Sequence, residues 1–67
     1  MKKFEYKKER IGYYYHDSSN IDKMEISMLQ KEGLLGWELV AVTRINDTSK
    51  KQWTNEYYLK REVYNKE

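Results

Sequence analysis

The first alternating stretch of the chain covers residues 2–10. Phe4 and Tyr6 lie on one side of an extended backbone there, and lysine and glutamate residues lie on the other. Alternation with a period of two, carrying aromatic residues, predicts a half-buried β-strand. Residues 11–15 prolong the pattern, and Gly12 among them suggests a bulge or a bend.

A helical pattern follows a cluster of turn and cap formers at residues 16–20. Ser19 or Asn20 would be the N-cap, because its side chain can accept a backbone N–H of the first turn. The apolar residues then recur at helical spacing and predict an amphipathic helix from about residue 21, with a stripe made of Ile21, Met24 and Met28 and with Leu29 beside it.

The end of this helix has two interpretations. Gly33 could be the left-handed residue that follows the last turn, which would leave no glycine inside the helix. Alternatively, the helix could continue through Leu35 and stop at Gly36, which would add Leu35 to the apolar stripe. We favour the end at Gly33.

Residues 37–45 give the strongest strand pattern in the chain. Trp37, Leu39 and Ala41 would share one face, and Val40 and Val42 the other. Apolar residues on both faces predict a strand that is covered twice.

Residues 46–50 are typical of a hairpin loop, and a return strand is predicted from Gln52 to about Glu62. Its two faces would alternate, with one carrying Trp53, Tyr57 and Leu59 and the other carrying Thr54, Glu56, Tyr58 and Lys60.

The order strand, helix, strand, strand predicts an α+β fold with βαββ topology in a single domain over residues 1–67. A crossover helix followed by a hairpin favours a three-stranded antiparallel sheet in the order 1-3-2, with a mixed sheet centred on the second strand as the alternative. Since one helix covers one face, we expect the open face to carry Val40, Val42 and Tyr58.

Composition narrows the class of protein. The chain has 67 residues, no cysteine and 15% aromatic residues, so we expect a small folded domain without disulfides that gains stability by oligomerisation. A net charge of +2 gives little support to nucleic-acid binding. With neither a signal peptide nor a membrane span in its pattern, we expect a cytoplasmic protein.

Three blocks carry a resemblance to a known family. They are residues 1–7, then Leu29 with Gly33 and the run Gly36-Trp37-Glu38-Leu39-Val40, and finally residues 59–62. In this order they resemble the bacterial and phage family catalogued as domain of unknown function 4177. The resemblance implies a small βαββ fold and no established activity. The chain departs from the family at Glu25 and Glu32, where members carry leucines, and in the insert at residues 13–16.

The candidate chemical residues favour structural roles. His16 lacks convergent ligands or a nucleophile, which indicates an exposed turn residue. Glu38 lacks a second acid, so we expect it to pair across the sheet with Lys60 or Arg61. We therefore expect that the chain is not an enzyme and that it binds neither a cofactor nor a metal ion.

The remaining signal is a surplus of apolar and aromatic surface. We expect an interaction module that forms a homo-oligomer and binds a protein partner, and the family resemblance suggests an inhibitor of a host protein. Its predicted interface consists of Val40, Val42, Tyr58, Tyr13, Tyr14 and Tyr15. The alternatives are a binder of a nucleotide-like small molecule between subunits, against residues 13–15 and nearby lysines, and a weak binder of single-stranded nucleic acid.

Overall fold

The computed structural model of the chain describes residues 2–17 and 19–64. The elements are β1 (Lys3–Tyr14), α1 (Ile21–Leu34), β2 (Glu38–Asp47) and β3 (Gln52–Val63). They form a three-stranded sheet in the order β1-β3-β2, with both pairings antiparallel. The predicted α+β fold, βαββ topology and strand order are therefore confirmed.

The core lies between α1 and the central strand. Tyr57 and Leu59 of β3 are 0% and 1% exposed, and Ile11 of β1 completes the buried set. Four half-buried apolar side chains pack against these three residues from the helix and its C-terminal end: Ile21, Met28, Leu29 and Trp37. Met24, which was predicted in the same stripe, is exposed.

The two faces of β1 are occupied in the opposite way from the prediction. The register sets Lys7 opposite Leu59, so the residues of β1 on the helix side are mainly charged, whereas Phe4 and Tyr6 are exposed on the face away from α1. Long side chains make this arrangement possible, because Lys7 lies along the sheet and reaches Glu32 of α1. The continuous pairing of β1 with β3 also excludes the predicted bulge at Gly12.

The helix begins at Ile21, as predicted, but it passes through Gly33 and ends at Leu34. The favoured end at Gly33 is therefore wrong. Gly36 is the residue with positive φ, at 89°. The N–H of Gly36 donates to the carbonyl of Gly33, and the N–H of Trp37 donates to that of Glu32. This pair of hydrogen bonds is a Schellman ending, which requires a left-handed residue one position before Trp37.

At the other end of α1, Asn20 is the N-cap residue. Its carbonyl accepts the N–H of Met24, but within the described residues its side chain makes no capping hydrogen bond.

A β-bulge at Val40 changes the faces of β2. Leu39 lies opposite Leu59, whereas Ala41 lies opposite Tyr58 and Val42 opposite Tyr57. Because the extra residue shifts the alternation by one, Val42 lies on the helix side together with Leu39, and Ala41 lies on the open face. The predicted placement of Val42 on the open face is wrong.

β2 is also an edge strand and not a strand covered twice. Every residue from Glu38 to Asn46 is exposed. A turn at residues 48–51 connects β2 to β3, and Lys51 adopts a positive φ of 52° there. The prediction of double coverage fails because the single helix covers only one face of the sheet, and the buried apolar residues lie on β1 and β3.

Candidate protein-interaction edge

The outward edge of β2, from residue 39 to residue 45, is named the β2 edge here. Four large apolar side chains of this segment are 39%, 54%, 47% and 49% exposed: Leu39, Val40, Val42 and Ile45. Within it, Arg44 is the only charged residue. An exposed strand of this kind presents backbone N–H and C=O groups together with apolar side chains, which suits the addition of another strand.

The opposite edge of the sheet has a different character. β1 carries a charged residue at half of its positions: Lys3, Glu5, Lys7, Lys8, Glu9 and Arg10. Charged side chains on an edge strand oppose pairing with another chain, because they would have to be desolvated or placed next to like charges. The sheet therefore has one edge protected by charge and one that is open.

A chain of hydrogen bonds runs from the β2 edge into the core. Arg44 Nε donates to Asn55 Oδ1 (3.3 Å), Asn55 Nδ2 donates to the Tyr57 hydroxyl (3.2 Å), and that hydroxyl donates to Glu25 Oε2 (2.6 Å). Burial, followed by the bond to Glu25, raises the pKa of Tyr57 to about 12. These three hydrogen bonds fix the Arg44 side chain. Its guanidinium also lies 5.3 Å from the centre of the Trp53 ring.

The predicted interface residues Val40, Val42 and Tyr58 do not form one surface. Val42 lies on the helix side of the sheet, Val40 occupies the bulge, and Tyr58 lies on the open face opposite Ala41. Val40 and Val42 still belong to the β2 edge, whereas Tyr58 is half-buried in the central strand. The bulge separates them.

The three consecutive tyrosines also have separate surroundings. Tyr13 is half-buried opposite Trp53. Tyr14 points to the other face and stacks on His16, with ring centres 5.5 Å apart. The Tyr15 hydroxyl donates to Asn46, and its ring lies 5.6 Å from that of Trp53. The tyrosines therefore form no common stacking platform.

The open face of the sheet contains a buried carboxylate. Glu56 is 6% exposed and is paired with Arg10 (Nε to Oε2, 2.7 Å) and Lys8 (3.4 Å). Burial tends to raise the pKa of Glu56, but the two cations outweigh it and hold this pKa below its ordinary value. One of these two positive charges is thus offset by the protein itself.

Glu38 lies opposite Lys60 in the register, as predicted. The ammonium group of Lys60, however, lies 4.8 Å from the centre of the Phe4 ring. Its neighbour Arg61 pairs with Glu5 instead, with Nε 2.7 Å from Oε1. The expected ion pair of Glu38 with Lys60 or Arg61 is therefore replaced by these two contacts.

A groove of about 560 Å³ lies between β1 and α1. Its apolar part is formed by Ile11, Met24 and Met28, and its rim carries two lysines and two glutamates: Lys23, Lys31, Glu9 and Glu32. This groove lies on the side of α1 that faces β1. The β2 edge lies on the other side of the helix. Across residues 2–17 and 19–64, no three His, Cys, Asp or Glu side chains are grouped closely enough to hold a metal ion.

Four residues of the β2 edge are missing from the interface predicted from the sequence: Leu39, Thr43, Arg44 and Ile45. The available signal was the run of five uncharged residues at 39–43 followed by one arginine, which contrasts with the charged pattern of the first strand. That contrast indicates which edge is open once the strand order is known.

Within the described residues, the helix lacks the length and the apolar character to cross a membrane. No protein-family model matches the chain, and no curated protein or solved structure shows significant similarity to it. The resemblance to domain of unknown function 4177 stays a prediction.

Proposed function

We propose that this chain is a non-enzymatic interaction module that binds an extended segment of another protein chain along the β2 edge. The observation that carries the proposal is the contrast between the two sheet edges. β1 is protected by charge, whereas the β2 edge exposes Leu39, Val40, Val42 and Ile45 around a single arginine. Backbone hydrogen bonds would supply affinity, and these side chains would select the partner.

Homo-oligomerisation belongs to the same proposal, because a second copy carries an identical open edge. The family resemblance adds an inhibitor of a bacterial host protein as a further role for such an edge. Binding to single-stranded nucleic acid is less well supported, since Lys8 and Arg10 are paired with Glu56 and the tyrosines do not form a stacking surface.

Two glutamate variants of similar exposure test the proposal. Val42 on the β2 edge is 47% exposed, and Met24 on the helix flank facing β1 is 49% exposed. We expect Val42→Glu to bind its partners at least tenfold more weakly than the wild type, because an added strand would have to desolvate the new carboxylate. Met24→Glu places the same charge away from the β2 edge and should bind like the wild type.

The measurement uses each form as immobilised bait against two samples, a differently tagged copy of the same chain and a bacterial lysate. Circular dichroism checks that both variants are folded. Retention of the same partners by wild type and Met24→Glu, together with their loss from Val42→Glu, supports edge binding. If Val42→Glu retains every partner of the wild type, the β2 edge is not the binding surface.

A further inference from the structure

The geometry points to a second copy of this chain as the occupant of the β2 edge, paired antiparallel to it with Thr43 on the twofold axis. This inference rests on the proposed function and names its partner. The resulting dimer has a continuous six-stranded sheet in which both helices cover the same face. Three observations carry it: the surplus surface of the single chain, the self-complementary order of side chains after the bulge, and the orientation of Arg44.

The single chain exposes more surface than a compact monomer of its size. Its accessible area is 5561 Å², whereas a folded monomer of 8.3 kDa has about 4,600 Å². The surplus of about 1,000 Å² is close to the ~800 Å² that each partner buries in a standard interface.

The shape of the chain agrees with this surplus. The radius of gyration is 14.7 Å, and the molecule extends over 51 × 21 × 14 Å. A compact domain of 67 residues has a radius of gyration of about 11 Å. The single chain is therefore an elongated layer, and a second copy alongside β2 would widen it across its short dimension.

The residues after the bulge can pair with themselves. With Thr43 on the twofold axis, Thr43 faces its own copy, Ala41 faces Ile45 of the second copy, and Val42 faces the stem of Arg44. Each pair lies on one face of the sheet, because residues of equal parity after the bulge share a face. Threonine pairs and contacts between small or branched side chains are favourable between antiparallel strands.

The neighbouring register is less favourable. With Arg44 on the axis, the stems of the two Arg44 side chains would stand directly opposite each other, which brings two like charges closer together than they are with Thr43 on the axis. Ala41 would also face Asp47, which exchanges an apolar contact for a polar one. The charge on Arg44 therefore favours Thr43 at the axis.

The side chain of Arg44 is already turned away from that axis. Its Nε donates to Asn55 and its guanidinium lies over Trp53, both on β3 of the same chain. The outward edge of β2 consequently presents the aliphatic stem of Arg44, whereas its charge lies over the chain's own sheet. This placement lets Val42 of the second copy approach without meeting the cation.

Because the chain has no cysteine, single cysteines can locate the twofold axis. Thr43→Cys would place two cysteines directly opposite each other, with their Cα atoms about 4.5–5.5 Å apart, which suits a disulfide. In Val42→Cys or Arg44→Cys, the two cysteines would be diagonal neighbours with their Cα atoms about 7–8 Å apart, at or beyond the limit for a bridge. All three positions are exposed, so we expect each variant to fold.

The experiment measures the rate of covalent dimer formation in a glutathione redox buffer, together with sedimentation velocity of the reduced proteins. We expect the wild type to sediment as a particle of twice 8.3 kDa and Thr43→Cys to cross-link at least tenfold faster than Val42→Cys and Arg44→Cys.

Faster cross-linking of Val42→Cys or Arg44→Cys than of Thr43→Cys would overturn the register. A wild type that is monomeric at every concentration would overturn the second copy as the partner. Neither result alone overturns edge binding, since a lysate partner lost only in Val42→Glu would still support it.

Discussion

At the scale of single residues, Trp37 organises the junction between α1 and β2. Two cations lie over its ring: Lys7 Nζ at 4.7 Å and the Arg61 guanidinium at 4.5 Å from the ring centre. Arg61 also donates to the carbonyl of Leu35 (3.0 Å) and pairs with Glu5. Arg61 thereby joins β1, the helix end and the tryptophan, which gives the Gly-Trp motif a structural role at the start of β2.

Lys7 reaches the same junction from β1. Its ammonium group pairs with Glu32 and with Glu9 (3.2 Å). The bond to Glu32 raises the pKa of Lys7 above its ordinary value. Its contribution to stability is therefore complete below pH 10.5 and is lost as the pH rises through the raised pKa.

Tyr57 gives a prediction for alkaline pH. Its pKa is about 12 in the folded chain against 10.0 for the free side chain, so the unfolded chain releases this proton first. The stability due to neutral Tyr57 is complete below pH 10 and is lost between pH 10 and 12. We expect the free energy of unfolding to fall in that range, and to fall less steeply in Tyr57→Phe. Lys7 and Tyr64, whose pKa values are also raised in the folded chain, contribute to the remaining slope.

Urea unfolding at a series of pH values measures this difference. At pH 7, Tyr57→Phe should also be less stable by about 1–2 kcal/mol, because Glu25 and Asn55 lose a buried hydrogen-bond partner. A variant with the same alkaline slope as wild type would show that Tyr57 does not titrate in this way.

At the scale of elements, the two glycines near the end of α1 give a matched pair of substitutions. Gly33 lies inside the helix, and an added Cβ would meet no atom within 4 Å. Gly36 has φ +89°, and an added Cβ would lie 3.3 Å from Arg61 Cδ. We expect Gly33→Ala to stabilise the chain by about 0.5–1 kcal/mol and Gly36→Ala to destabilise it by about 1–2 kcal/mol.

Chemical denaturation followed by tryptophan fluorescence distinguishes the two variants, and each serves as the control for the other. Stabilisation by Gly36→Ala, or a loss of stability in Gly33→Ala, would contradict the helix end described here.

The elements themselves could be predicted from the sequence because each has a clear local period. The start of α1 at Ile21, the alternating faces of β3 and the strand order follow from spacing and connectivity alone. The bulge at Val40 could not be predicted, because one extra apolar residue in an apolar run changes no local pattern.

The assignment of faces in β1 failed for a different reason. Phe4 and Tyr6 suggest a buried side, but the helix meets the opposite face of the strand, where Lys7 and Glu9 pack by their stems and pair with each other. Which face of a strand meets the helix depends on the tertiary arrangement. The alternating pattern is the same whether the aromatic residues of the strand are buried or exposed. Whether the β2 edge is open likewise depends on the strand order.

At the scale of the whole molecule, a dimer predicts a melting temperature that depends on concentration. If unfolding and dissociation are coupled, a tenfold rise in protein concentration should raise Tm by about 5 °C for two chains of this length. Val42→Glu should remove most of this dependence, whereas Met24→Glu should keep it. Differential scanning calorimetry across two decades of concentration measures the shift, and a constant Tm in wild type would contradict a coupled dimer.

The strand order has a consequence for folding during synthesis. β3 is the last strand in sequence yet lies between the other two, and its pairs with β1 reach from Lys3 to Val63. During synthesis, β1, α1 and β2 leave the ribosome without the strand that joins them, so folding has to wait until β3 has emerged. Until then β2 is unpaired on both sides, so a neighbouring nascent chain can pair with either side. If two copies pair along the β2 edge as proposed, translation of clustered copies would favour that pairing while the chains are still being synthesised.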